Sequence, residues 1–416
     1  MLSNKRQSCA RRTWIAINVI LGSIAVVFSN VVSADSNVDV RGRIQFDARY
    51  QVHTAKNDIS KIHSESNLEL RGLRIQFEGG PSKITKFKFS SDFTDGETDI
   101  KDLYLDTRLG ESTKFRMGQF HVPFGNESLG SSRFALFQEK STISDALSAS
   151  RDRGVMYHGP LFSKHTFFQL AYLNGSGSNV GDNNDDKDVA LRFVFRPAFL
   201  ENEDINIWVG FSYTTGTELS TGDDDVKLET ESNSGLKYFK AEFPEDVSYK
   251  RNRYDFEYTY LNGGFMVKGE LIQTDFFSSE GYVRGGYIAT SYILSGEKHR
   301  IKHGLLYRQI SRDIPGRPKD NPSAVGLALR YSWFRVSDAF FQDNSFYDGW
   351  VAVDSTAYYR KGSAVTVGLN WYINRETRFI TNFVFSFAEA PNPMDPSKTT
   401  FKQVEASLIS RLQIEF

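Results

Sequence analysis

The stretch VDVRGRIQFDARYQVH, residues 38–53, changes character at every step. Val38, Val40, Gly42, Ile44, Phe46, Ala48, Tyr50 and Val52 are apolar or small; the residues between them, Asp39, Arg41, Arg43, Gln45, Asp47, Arg49, Gln51 and His53, are polar or charged. Successive side chains of an extended chain point to opposite faces, so a period of two predicts a β-strand between an apolar and an aqueous surrounding. At sixteen residues the run also exceeds the usual strand length of about 5–6. The alternation returns at Tyr254, Phe256, Tyr258 and Tyr260, again at Val325, Leu327, Leu329, Tyr331 and Trp333, and finally from Val404 through Leu408 and Leu412 to Phe416.

The residues before this stretch point to export. Lys5, Arg6, Arg11 and Arg12 precede an apolar run at 14–28, followed by Val32-Ser33-Ala34, the pattern of a secretory signal peptide cleaved after Ala34. The run is short of the roughly 20 residues that span a bilayer as a helix. The residues after Arg11-Arg12 fit a twin-arginine signal poorly. The expected organisation is a signal peptide at 1–34 and one domain at 35–416. Removing 1–34 takes four of the 50 basic residues and none of the 51 acidic ones, leaving 46 against 51, a net charge of −5. That balance argues against a nucleic-acid partner. The single cysteine, Cys9, falls within 1–34, so the mature chain has no disulfide framework.

No later segment holds 18 consecutive apolar residues, and mean hydropathy is −0.41, which excludes a helical membrane protein. Aromatic residues nevertheless make up 14% of the chain, with 34 Phe and 19 Tyr. A transmembrane β-barrel accounts for both facts, since half of each strand faces lipid and aromatic girdles mark the two interfaces. Seventeen segments read as strands: 38–53, 64–79, 82–94, 99–109, 113–120, 153–159, 165–174, 188–196, 204–215, 251–261, 263–276, 281–295, 298–312, 324–338, 362–374, 376–388 and 401–416. Single-chain bacterial barrels use an even number. The expectation is therefore an all-β antiparallel barrel of 16 strands, with short 153–159 and ragged 298–312 the weakest segments. Tight turns are expected at Asn262-Gly263 and Asn374-Arg375, and mostly external loops at 121–150, 174–187, 216–250, 313–322, 339–361 and 388–400.

Several motifs carry a family resemblance: LRGLRIQFEG at 70–79, DFTDGETDIKDLYLD at 92–106, FRMGQFHVPFGNESLGSSRFALFQEK at 115–140, GGYIATSYILSGE at 285–297, GLALRYSWF at 326–334 and VGLNWYINRETRF at 367–379. Together they resemble the phosphate-selective porin O and P family over nearly the whole mature chain, most specifically at 118–133 and 368–374. The resemblance implies a homotrimer of 16-stranded barrels in the outer membrane of a Gram-negative bacterium, in contact with its lipid and lipopolysaccharide. It also implies that the third external loop folds into the pore, and that small anions descend a ladder of arginines past basic and hydroxyl side chains. Arg43 and Arg71 fall on matching positions, Ser131, Ser132 and Arg133 match the hydroxyl-hydroxyl-basic run, and Lys140 stands where an arginine is common. Two features depart from the pattern. Gly72 replaces the second arginine of a pair, and 216–250 is acidic, with Asp223, Asp224, Asp225 and Glu229. A general or cation-tolerant porin is the alternative.

Read from the residues alone, Arg41, Arg43 and Arg49 point into a wet lumen, or else pair with Asp39 and Asp47. A bulge near Gly72 would keep both Arg71 and Arg74 inward. Lys101 and Asp102 flank the expected constriction or belong to a solvated strand. The seven histidines contain no H-E-x-x-H or other metal motif, His299 and His303 stand too far apart along a strand for one ion, and the run 182–188 lacks the sixth-position glycine of a calcium loop. Ions bridging that run to lipopolysaccharide are a further option. No metal or cofactor is expected. An outer-membrane barrel enzyme acting on lipids or peptides is a second class, although no nucleophile elbow or Ser-His-Asp spacing stands out. A receptor using the long loops as a binding surface is the remaining class.

Overall fold

The computed structural model describes residues 38–55, 58–94, 97–182, 184–197, 205–219, 225–232, 237–242, 248–276, 281–308, 323–341, 352–392 and 395–416. The expected signal peptide lies outside them. The first nine strands are β1 (Asp39–Ala55), β2 (Asp58–Gly79), β3 (Thr85–Thr94), β4 (Glu97–Arg108), β5 (Lys114–His121), β6 (Arg151–Gly159), β7 (Thr166–Leu173), β8 (Asp188–Phe195) and β9 (Ile205–Leu219). Next come β10 (Asp225–Glu229), β11 (Lys237–Glu242), β12 (Ser248–Asn262), β13 (Phe265–Phe276), β14 (Gly281–Ile293), β15 (Arg300–Lys302) and β16 (Leu305–Arg308). The chain closes with β17 (Ala324–Val336), β18 (Ala352–Tyr358), β19 (Lys361–Tyr372), β20 (Thr377–Asn392) and β21 (Asp395–Glu415).

Sixteen of these strands, all but β10, β11, β15, β16 and β18, hydrogen-bond in chain order and close into one antiparallel barrel when β1 meets β21. No helix among the described residues is long and apolar enough to cross a membrane. The phase of the opening stretch is the phase of the wall: Arg43, Gln45, Asp47, Arg49 and Gln51 are buried inward, while Phe46 and Tyr50 are 51% and 53% exposed on the outer face. Leu103, Leu105, Tyr172, Phe256, Leu327, Tyr331, Phe383 and Leu408 continue that exposed apolar surface around the barrel.

The seventeenth expected strand is the one that fails. Segment 153–159 is wall strand β6, whereas the described residues of 298–312 form the β15–β16 hairpin, paired with itself. His303 and Gly304 form its turn with φ of +50° and +79°, the two-residue geometry that reverses a chain tightly. The His303 ring stacks on Phe167 of β7 at 3.7 Å, and Gly304 O accepts from Thr259 of β12 at 3.0 Å. These partners put the hairpin against the inner wall. Strand alternation has β14 end and β17 begin at the barrel end of the turns 160–165 and 263–264, opposite 122–150. The external loop expected at 313–322 lies outside the described residues.

At the end carrying 122–150, β10, β11 and β18 form a small sheet from two separate connections. Phe120, Phe124, Ile143, Leu147, Phe239, Phe334, Phe340 and Tyr359 pack there into one buried apolar cluster. Part of the aromatic excess is thus an interior core, not only interface girdles. The stretch expected as a polar external loop at 216–250 buries Glu231, Tyr238 and Phe239.

The last residue extends the seam that closes the wall, beyond the pairs from Arg43↔Glu415 to His53↔Glu405. Gly42 N donates to Phe416 O at 2.7 Å and Phe416 N donates back to Gly42 O at 3.1 Å, and a Cβ at Gly42 would collide with the Phe416 ring. An unpaired strand end in a membrane strands backbone groups without partners. Deleting Phe416 is expected to lower the yield of folded barrel; heat-modifiable gel mobility reads it, and an undiminished folded fraction would contradict the closure argument.

Candidate functional site: the basic chamber of the barrel

The chamber is built from a mismatch in register. β1 pairs β2 from Arg43↔Arg74 to Gln45↔Gly72, then jumps to Phe46↔Leu70, leaving Arg71 as the extra residue of a bulge. A second bulge leaves Lys101 extra between Ser90↔Asp102 and Ser91↔Ile100. Each bulge turns two nearby polar side chains to the same face where strict alternation would send one outward. Arg71 and Arg74, and Lys101 and Asp102, accordingly line one cavity of about 400 Å³.

The rest of that cavity comes from segment 122–150. Arg43 donates to Ser132 Oγ at 3.0 Å. Arg71 donates Nε and Nη2 to the two carboxylate oxygens of Glu139 at 3.2 and 3.4 Å. Arg49 and Arg411 each reach the same carboxylate at 3.1 Å. The cavity lining holds eight cationic side chains, Arg43, Arg71, Arg74, Lys88, Lys101, Lys140, Arg151 and Arg411, against five carboxylates, Asp92, Asp102, Glu127, Glu139 and Asp145. Its net sign is positive, which favours an anion. Most of the cations are engaged: Arg74 with Asp92, Lys101 with Asp99, Arg151 and Lys88 with Asp102, Lys140 with Asp145. Arg43 has no ion-pair partner among the described residues. Its guanidinium rests on the neutral hydroxyl of Ser132.

Burial pushes the Glu139 carboxyl up, but Arg71, Arg411 and Arg49 outweigh it and hold the group below the usual carboxylate range. A carboxyl depressed on folding contributes stability that is complete above its unfolded value and lost as pH falls through its folded one. The clamp on Glu139 is therefore expected to survive acidification from pH 7 to pH 5. Single-channel conductance traces at the two values check it, and release of the segment within that window, seen as a conductance step, would contradict it.

Residues 38–389 match the family model described as phosphate-selective porin O and P. The chain belongs to this porin family. No curated protein matches the chain. Among solved structures, the anion-selective porin of Comamonas acidovorans is 11% identical, with a TM-score of 0.52 over 92% of this chain and 100% of that one. In-vitro folded OmpT of Vibrio cholerae is 10% identical, with a TM-score of 0.52 over 92% and 99%. OprB of Pseudomonas putida is 8% identical, with a TM-score of 0.54 over 91% and 94%. At these identities the likeness is one of fold.

In this outer-membrane porin the expected lining residues divide into two groups. Arg43, Arg71, Arg74, Lys101, Ser131, Ser132 and Lys140 meet in the chamber. Arg41 and Arg133 do not: Arg41 pairs with Asp39 near the start of β1, and Arg133 is tied to Glu415 through Nε at 2.5 Å. Sequence reasoning missed Lys88, Asp92, Glu139, Arg151 and Arg411 as lining residues, although Asp92 and Arg411 stood on polar phases of recognised strands. It also missed Arg330 of β17, which is 1% exposed. Its guanidinium binds Glu127 at 2.8 Å and Glu231 at 2.7 Å, donates to the carbonyl oxygens of Glu139 and Lys140, and lies 4.5 Å over the Phe137 ring. Arg330 thereby fastens segments 122–150 and 225–232 to one wall strand.

Proposed function

We propose that this porin passes small anions, phosphate and polyphosphate among them, by passive diffusion through a water-filled channel, and that it catalyses no reaction. The observation that carries the reading is Arg43, a desolvated cation with a hydroxyl beside it and no carboxylate on it, in a chamber with a cationic surplus. An anion shedding water needs fixed donors, and a guanidinium supplies a forked set of them that stays charged. Segment 121–150 acts as the constriction. In support, it bonds to walls far apart around the barrel, through Arg43 of β1, Asn370 of β19 to Leu136 O at 3.1 Å, and Glu127 N to Glu270 of β13 at 3.0 Å.

The working unit is a homotrimer in contact with outer-membrane lipid and lipopolysaccharide; one of the similar solved structures is OmpT in trimer form. Residues 1–34 are removed on export, and N-terminal sequencing of the exported protein reads the cleavage point. The general-porin reading draws on the extensive pairing of the other lining cations. Reversal potentials in a salt gradient separate the two.

A further inference from the structure

Behind segment 122–150, on the wall away from the basic chamber, three carboxylates meet. Glu257 of β12 and Glu270 of β13 are direct cross-strand partners, and Asp255 stands two residues along β12 on the same inward face. One ligand oxygen from each lies within 4.8 Å of the others. All three are at most 2% exposed. Like charges placed opposite each other on a sheet are destabilising, and burial multiplies the cost. The protein offsets it only in part, with Lys268 two residues along β13 placing one positive charge near Glu270. Arg192 takes one oxygen of Glu257 at 2.5 Å, and Glu270 accepts from Glu127 N at 3.0 Å and Ser144 Oγ at 3.4 Å. Both oxygens of Asp255 and one each of Glu257 and Glu270 have no hydrogen-bond partner.

A second observation points into the same space. The hydroxyl of Ser212, opposite Asp255 on β9, is fully buried and unpartnered, and so is that of Tyr287, opposite Glu270 on β14 and 4% exposed. Each lies against its carboxylate without regular hydrogen-bonding geometry. We infer that Asp255, Glu257 and Glu270 bind one divalent cation, of the calcium class, that braces segment 122–150 from behind.

The chemistry selects the ion. Donors that are all oxygen suit a hard cation, and oxygens bound to calcium at about 2.4 Å lie no more than about 4.8 Å apart. Three carboxylates, with Arg192 on Glu257 and Lys268 near Glu270, leave a net negative charge that a bound cation neutralises. Because Glu270 also holds Glu127 N and Ser144 Oγ, the ion fixes the carboxylate that fixes the segment. The inference does not depend on which solute the channel passes, since retention of the ion is measured without current.

The test uses the full-length mature porin folded in detergent free of lipopolysaccharide, stripped with chelator and dialysed against radioactive calcium. One calcium per chain is expected in the wild type, with affinity falling at least tenfold in Asp255→Asn and Glu270→Gln. The exposed acidic loop is controlled by a variant with Asp182, Asp185 and Asp186 changed to Asn, which should retain the ion. No retained calcium in the wild type, undiminished retention in both cluster variants, or loss in the loop variant would each overturn the proposal. Should these two variants fail to fold, Glu257→Gln, which keeps an oxygen for Arg192, takes their place with the same expected loss, and undiminished retention there would overturn the proposal.

Discussion

Arg43→Ala is expected to weaken phosphate block of chloride current about tenfold, equivalent to about 1.4 kcal/mol, and to move the reversal potential toward cation passage. An ion about 4 Å from a unit charge feels roughly 4 kcal/mol at an effective dielectric constant of 20 before its own desolvation is subtracted, so a tenfold loss is a modest fraction of what the geometry offers. Arg71→Ala is expected to do less. Its guanidinium is committed to Glu139, and a paired cation presents little net field to a passing ion. Arg49 is committed in the same way, lying in mid-strand on Asp47, Glu69 and Glu139. Titration of block by phosphate in planar bilayers checks the order, and a larger effect at Arg71 than at Arg43 would reverse it.

Arg330→Leu is expected to give the largest structural effect. The change strands the Glu231 carboxylate, whose side chain is fully buried, with only neutral donors from Ser332, Thr366 and the Thr142 amide. Removing one partner of a buried pair costs about 3–5 kcal/mol. Segment 122–150 loses in the same step its bonds from Arg330 to Glu127, Glu139 O and Lys140 O. The expected outcome is a lower unfolding temperature and a larger, noisier single-channel conductance with weaker ion discrimination. Arg330→Lys should restore part of the stability and less of the discrimination, since a point charge cannot hold two carboxylates and two carbonyls as a planar fork does. Unchanged conductance in a stably folded Leu variant would show that Arg330 does not hold the segment.

What the sequence reveals here follows from how locally each feature is encoded. The phase of β1 is written in sixteen consecutive residues, and the wall follows from repeating it. The bulge that turns Arg71 and Arg74 to one side is legible too, because the apolar phase shifts from Leu68 and Leu70 to Leu73, Ile75 and Phe77 across Gly72. Segment 298–312 reads as a strand because its apolar residues are spaced like one; His303-Gly304, an adjacent pair able to take positive φ, is the overlooked signal. The contacts of Glu139 with Arg411, and of Arg330 with Glu127 and Glu231, join wall strands to segments with no period across 272, 203 and 99 positions. No local pattern encodes them. Asp255, Glu257 and Glu270 stand between these cases. Once the turn after Asn262 is fixed, cross-strand register places Glu257 opposite Glu270, yet a search for metal motifs contiguous in sequence passes over them.

The central claim, that the chamber around Arg43 makes this an anion-passing channel, is tested most directly by the zero-current potential of the wild-type porin across a planar bilayer in a tenfold potassium chloride gradient. The account predicts a potential of the sign set by chloride, collapsing toward zero in Arg43→Ala. A potential of the sign set by potassium, or no conductance at all, would contradict it.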